Sequence, residues 1–146
     1  MVAACYSCDQ TANGVRTIRE SIWEVPGWRV AHSFNASLAG WLVIVSHRHI
    51  ESPDEMTLEE SQSLGPLLRD ASVALKRVTG CPKTYVVMFG EAEGFSHLHF
   101  HVVPRLEDIP VERRGPAVFA YLRETPLADD AQDRVSRAIR DAWPVS

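Results

Sequence analysis

The chain has 146 residues, 45% of them apolar, which fits one ordinary globular domain with a packed core and no second domain. A net charge of -4 argues against an extended nucleic-acid surface, which binds by neutralising phosphates with Lys and Arg, but is compatible with a small anionic ligand held locally. The longest apolar run, AGWLVIV, is too short to span a bilayer, and MVAACYSCDQ lacks the basic-then-apolar pattern of a secretory signal, so no membrane association and a cytoplasmic location are expected.

In chain order, the first feature is Cys5 and Cys8, a Cys-x-x-Cys spacing that brings two thiolates to one metal or makes a redox pair. A redox role fits poorly, because no strand precedes the pair and no βαβ unit follows it. GWRVAHSF and GWLVIVSH are rich in Val, Ile and aromatic residues and are joined by the turn-prone NASLAG, which predicts an antiparallel hairpin. The segment SPDEMTLEESQSLGPLLRDASVALKRVTG predicts a long helix: Leu64, Leu67, Leu68, Ala71, Leu75 and Val78 form a stripe, Thr57 and Glu60 can form a capping box, and Gly80 sits where the helix should stop. Pro66 either kinks this helix or marks its first turn. Cys81, in TGCPK, is read as structural, since three cysteines make no disulfide framework in a chain of this size.

KTYVVMF is predicted as a strand, GEAEGFS as a loop, and HLHFHVV as a strand ended by Pro104. EDIPVERRGP reads as irregular, and residues 128 to 142 as a helix with the stripe Ala131, Val135, Ala138, Ile139 and Ala142. The predicted class is α+β, an antiparallel sheet covered by helices. Trp23, Trp28, Trp41 and Trp143 are assigned to packing or an interface rather than to base stacking.

Residues two apart on a strand share a face, so His97, His99 and His101 form one row while Leu98, Phe100 and Val102 point to the core. Threonine, lysine or glutamate would serve an ordinary exposed face, so three alternating histidines point to chemistry. At about 3.3 Å rise per residue the ends of the row stand about 13 Å apart, too far for one ion, so the row must divide its labour. Cys5 and Cys8 with two imidazoles make a closed tetrahedral zinc site. We choose His49 and His97, although spacing alone excludes neither His47 nor His32.

HLHFHVV followed by PR resembles the histidine triad (HIT) family of nucleotide hydrolases and transferases, with its His-x-His-x-His-x-x pattern. LAGWLVIVSHRHI, MTLEESQSLGPLL and GEAEG extend the similarity over about residues 5 to 105, leaving about 106 to 146 as a C-terminal extension of one HIT-like domain. The resemblance implies a structural zinc on Cys5, Cys8, His49 and His97. It implies His99 as a nucleophile that attacks the α-phosphate of a dinucleoside polyphosphate or nucleoside phosphoramidate, forming a nucleotidyl-histidine, with His101 assisting. It also implies a homodimer, and substrate contacts from Ser33, Asn35, Gly94, Ser96 and His101. EGFSH is shorter than the loop many members carry before the triad, Phe89 stands where Asn is frequent, and Ser33 stands where Asp or Asn commonly holds the ribose. Nucleotide binding without turnover, or an interaction module braced by zinc, are the alternative readings.

Overall fold

The Pro26-Gly27 pair reverses the chain in two residues, with Gly27 at φ +92°, and pairs Val25 with Trp28 across a tight hairpin. In the computed structural model this turn joins β1 (Trp23–Val25) to β2 (Trp28–His32), a hairpin additional to the expected one. Residues 4–14 and 16–145 are described; residues 1–3, within the segment read for a secretory pattern, and residues 15 and 146 lie outside them.

The expected hairpin forms from β2 and β3 (Leu42–Ser46), with Val30 opposite Ile44. α2 (Leu58–Thr79) begins at the Thr57–Glu60 capping box and stops at Gly80, whose φ of +70° gives the left-handed cap. Pro66 lies inside this helix rather than at its start, on the exposed face, where water can reach the Gln62 carbonyl that loses its donor. β4 (Lys83–Val87), β5 (His99–Arg105) and α3 (Asp129–Asp141) follow. Before the sheet, α1 (Tyr6–Ala12) and a 3-10 turn at Ile18–Glu20 fold a segment to which no element had been assigned.

The sheet is antiparallel throughout, in the order β1-β2-β3-β5-β4, so the protein is α+β. One face packs Trp28, Val30, Leu42, Ile44 and Val102 against Leu67, Ala71 and Leu75 of α2, and Cys81 is buried in the same cluster, as its structural reading requires. The other face carries Arg29 and Ala31 of β2, Val43 and Val45 of β3, and His99 and His101 of β5. Part of it is closed by the C-terminal segment, through Val118 of the 3-10 helix Gly115–Leu122, with Trp41 and Val103.

β5 corrects the predicted strand at both ends. It starts at His99, two residues late, because His97 leaves the ladder. It continues through Pro104, because Val102 is the last β5 residue paired with β3 and Pro104 lies opposite Thr84 alone. Among the described residues no helix is long and apolar enough to cross a membrane.

Candidate functional site

Two sites meet at His97 and His99. At the first, Cys5 caps α1, its Sγ accepting from the Cys8 backbone N–H at 3.3 Å, so one short helix presents both sulfurs to the ends of β3 and β5. The Nε2–H of His97 donates to the Ser46 carbonyl at 2.7 Å, which fixes the tautomer and leaves the Nδ1 lone pair facing the sulfurs. His97 Nδ1 stands 3.5 Å from Cys5 Sγ, 3.5 Å from Cys8 Sγ and 3.2 Å from His49 Nδ1, while Cys8 Sγ is 3.3 Å from His49 Nδ1. All four donors lie within 4.8 Å of one another.

A tetrahedral zinc ion would place two nitrogens about 3.3 Å apart and a nitrogen and a sulfur about 3.5 Å apart, given ordinary zinc bond lengths. The distances match those of two imidazole nitrogens and two sulfurs around one ion. Burial and then Cys5 push the Cys8 thiol up to about 11, so metal binding here must displace protons. The structure brings together the chosen four and leaves out the histidines that spacing had kept open. His47 faces Glu24 at 3.6 Å, and the ring of His32 is held by the Gly40 N–H at Nε2 and the Ser33 carbonyl at Nδ1. Arg48, between the two histidines of SHRHI, pairs with Glu60 at 2.7 Å and ties the His49 segment to the start of α2. That guanidinium, with the capping contacts from Thr57, holds the Glu60 carboxyl down to about 2.

The second site is a cavity of about 350 Å³ on the opposite sheet face. His99 and His101 line it, their ring centroids 5.0 Å apart. The His99 Nδ1–H donates to the His97 carbonyl at 2.7 Å, leaving the Nε2 lone pair free to act as a base or nucleophile. His101 has the opposite tautomer. The Trp41 Nε1–H donates to its Nδ1 at 2.9 Å, so the neutral ring carries its proton on Nε2 and can donate a hydrogen bond. Burial, and secondarily His99, holds His101 down to about 3, so it is neutral at physiological pH.

Ser33 and Asn35 also line the cavity, joined by a 2.8 Å bond from Ser33 Oγ to Asn35 Oδ1. Gly94 and Ser96 lie outside its lining. Gly94, with φ +81°, makes the turn that bonds the Phe95 N–H to the Ala92 carbonyl at 2.9 Å, and that geometry accounts for the glycine. None of the four tryptophans lines the cavity: Trp23 stacks on Trp143, and Trp28 and Trp41 are fully buried. The lining contains aromatic residues and charges that sequence reasoning did not single out for a site, notably Tyr6, Glu20, Arg29, Phe34, Phe95 and Phe119. For Arg29 the signal was present, as a charge among Trp28, Val30 and Ala31 in a strand rich in apolar residues.

No family model matches the chain, and no curated protein matches it. Solved structures do. A Zn-bound histidine triad family protein from Mycobacterium smegmatis superposes with TM-score 0.70 at 15% identity, over 94% of this chain and 91% of that one. A hypothetical histidine triad nucleotide-binding protein from Sulfolobus tokodaii gives 0.71 at 14% identity, over 94% and 91%. A uridylyltransferase gives 0.67 at 21% identity, covering 95% of this chain and 45% of that one. Superposing on these histidine triad proteins over more than nine-tenths of its length, and built on a five-stranded antiparallel sheet with helices, this chain has the histidine triad fold.

Proposed function

We propose that the protein is a nucleotide hydrolase or nucleotidyl transferase that works through His99. The observation that carries this reading is the His99 Nδ1–H···O=C His97 bond, which in the neutral ring makes Nε2 the lone-pair nitrogen, on a cavity wall beside a neutral, donating His101. Nε2 forms a bond to the α-phosphorus of a dinucleoside polyphosphate or nucleoside phosphoramidate as the bond to the leaving group breaks. The electron pair departs with the leaving group, which takes a proton from solvent. Water then attacks phosphorus, the N–P bond breaks, and its electron pair returns to Nε2 while the water proton leaves to solvent. The His101 Nε2–H stabilises charge on the non-bridging oxygens.

Cys5, Cys8, His49 and His97 would hold a structural zinc, whose four protein donors leave no position for a metal-bound water. Its part would be to brace the His97 carbonyl that orients His99. The fold likeness to a nucleotide-binding protein and a uridylyltransferase supports the substrate class. The homodimer remains part of the proposal, with the exposed edge strand β4 and Val86 as its seat, checked by sedimentation velocity.

The test is intact-protein mass spectrometry after an acid-free quench with adenosine phosphoramidate or diadenosine polyphosphates, and with their guanosine and uridine counterparts. A transient adduct of one nucleotidyl unit, lost in His99→Ala together with nucleotide release, is expected. Nucleotide binding with no adduct from any substrate would favour the second reading, a binding protein without turnover. That reading draws on the placement of Gly94 and Ser96 outside the cavity.

A further inference from the structure

Cavity residues outside the histidine row carry a chemistry that phosphoryl transfer does not need. Arg29 on β2 pairs with Val45 on β3, and Val45 pairs with His99 on β5, so the three form one row on the cavity face. Arg29 thus stands two strand spacings from His99, roughly 10 Å between their Cα atoms. Arg29 is 1% exposed and Glu20 7%. The Arg29 guanidinium donates through Nη1 to the Glu20 carbonyl and, at 3.3 Å, to Glu20 Oε1, and through Nε to Thr11 Oγ1 at 3.4 Å. Tyr6 O–H donates to Glu20 Oε2 at 2.6 Å.

Buried ion pairs contribute little to stability relative to apolar residues of the same volume, so a pair set into a cavity wall asks for another role. Both carboxylate oxygens of Glu20 already accept hydrogen bonds. The guanidinium still has donors to give, since Nη2 makes no hydrogen bond among the described residues. Beside the pair, Tyr6, Phe34 and Phe95 pack with ring centroids 4.7 to 5.8 Å apart and line the same cavity, an apolar flank for a flat ring.

A nucleoside monophosphate carries its phosphorus and the outer edge of its base at opposite ends, a span of the same order as the Cα separation of His99 and Arg29, which line one cavity. We propose that Arg29 selects the base, favouring one whose outer exocyclic group is a carbonyl oxygen (guanine, hypoxanthine or uracil) over the amino-bearing adenine and cytosine. A carbonyl accepts from the guanidinium, whereas an amino group would set donor against donor. This inference rests on the reading of the cavity as a nucleotide site.

The test is calorimetric titration of the zinc-loaded full chain with guanosine, inosine, adenosine, uridine and cytidine monophosphates. Inosine and adenosine differ only at the exocyclic group and its neighbouring ring nitrogen, so they isolate the contact. The guanosine and uridine arms separate a purine site from a pyrimidine site. The expected result is at least about tenfold tighter binding of the carbonyl-bearing member of a pair. The double variant E20Q/R29M, which leaves no unpaired charge, should bring that ratio close to one. Equal affinities, or a preference for adenosine and cytidine, overturn the proposal while leaving the nucleotide reading intact. A carbonyl preference that survives in a folded double variant also overturns it. If that variant does not fold, the inosine-to-adenosine ratio of the unaltered protein decides. Failure to bind any nucleotide overturns both.

Discussion

The Trp41 Nε1–H reaches Nδ1 of His101 at 2.9 Å, from a ring that is itself fully buried. One indole thereby sets which nitrogen of His101 carries the proton. Phe119, against both rings at 5.3 and 5.1 Å, keeps water from competing for that bond. Trp41→Phe removes the donor and leaves most of the packing. The His101 proton is then free to move to Nδ1, and on the proposed covalent route the rate of adduct formation should fall about tenfold to a hundredfold, with a smaller change in nucleotide affinity. Quenched-flow mass spectrometry on the variant separates the two effects. A loss confined to affinity would show that the bond serves packing alone.

The Cys5, Cys8, His49 and His97 cluster predicts one tightly held zinc per chain by elemental analysis. Cys8→Ser should reduce bound zinc to well under half an equivalent. Chelation should lower the melting temperature by roughly 5–10 °C, since these donors tie α1 to the ends of β3 and β5 alongside the contacts of Tyr6 and Thr11. An unchanged melting curve after verified metal removal would exclude a structural role.

Acid should destabilise the protein in a defined window. His101 titrates at about 3 when folded, against an ordinary 6.5, because burial penalises its charged form. Between these values the unfolded chain binds more protons, so the contribution of this group is complete above about pH 6.5 and is lost as pH falls towards about 3, at up to about 1.4 kcal/mol per pH unit. His32, also lowered by burial, adds a loss of the same sign. Chemical denaturation from pH 7.5 to 4.5 should show the decline, and His101→Gln should make it shallower. Equal slopes for the two proteins would sink this assignment, since protonation of the metal ligands acts on both alike.

Pro66 sits in the middle of a 22-residue helix and removes one intrahelical hydrogen bond. Because it is exposed and contributes nothing to the cavity, Pro66→Ala should stabilise the protein by about 1–3 kcal/mol without altering nucleotide binding. Thermal unfolding of the variant checks the sign. A lower melting temperature would mean that a bend at Pro66 is needed to seat α2 on the sheet.

Local signals made α2, the β2–β3 hairpin, α3 and the histidine row legible: a capping box, a stripe, an alternation and a glycine stop are each written within a few residues. The metal set was nearly legible too, but the choice of His49 over His47 turns on Glu24 and Glu60, which lie 23 residues before and 11 after. β1 was missed because it spans three residues, although the Pro-Gly turn beside it was readable. The cavity wall was the least legible part. Nothing near Phe34, Arg29 or Phe119 in the chain says that these side chains converge, since strand register and distant segments bring them together.

Those distant segments also set the order in which the site can be assembled. The loop that carries Phe34 and Asn35 is held by the C-terminal region: the Ser37 N–H donates to the Tyr121 carbonyl, the Leu127 N–H to the Ala36 carbonyl, and Gln132 Nε2 to the Phe34 carbonyl. Near the start of the chain Cys5 faces His97 across 92 positions of sequence. During synthesis the sheet can pair once β5 has emerged, but the cavity gains Phe119 and Leu122, and the bonds that hold its Phe34 loop, only when the last quarter of the chain arrives. Refolding should therefore recover secondary structure before it recovers ligand binding, and a ribosome-stalled chain ending at β5 should have a sheet whose pocket lacks Phe119 and Leu122 and the ties on its Phe34 loop.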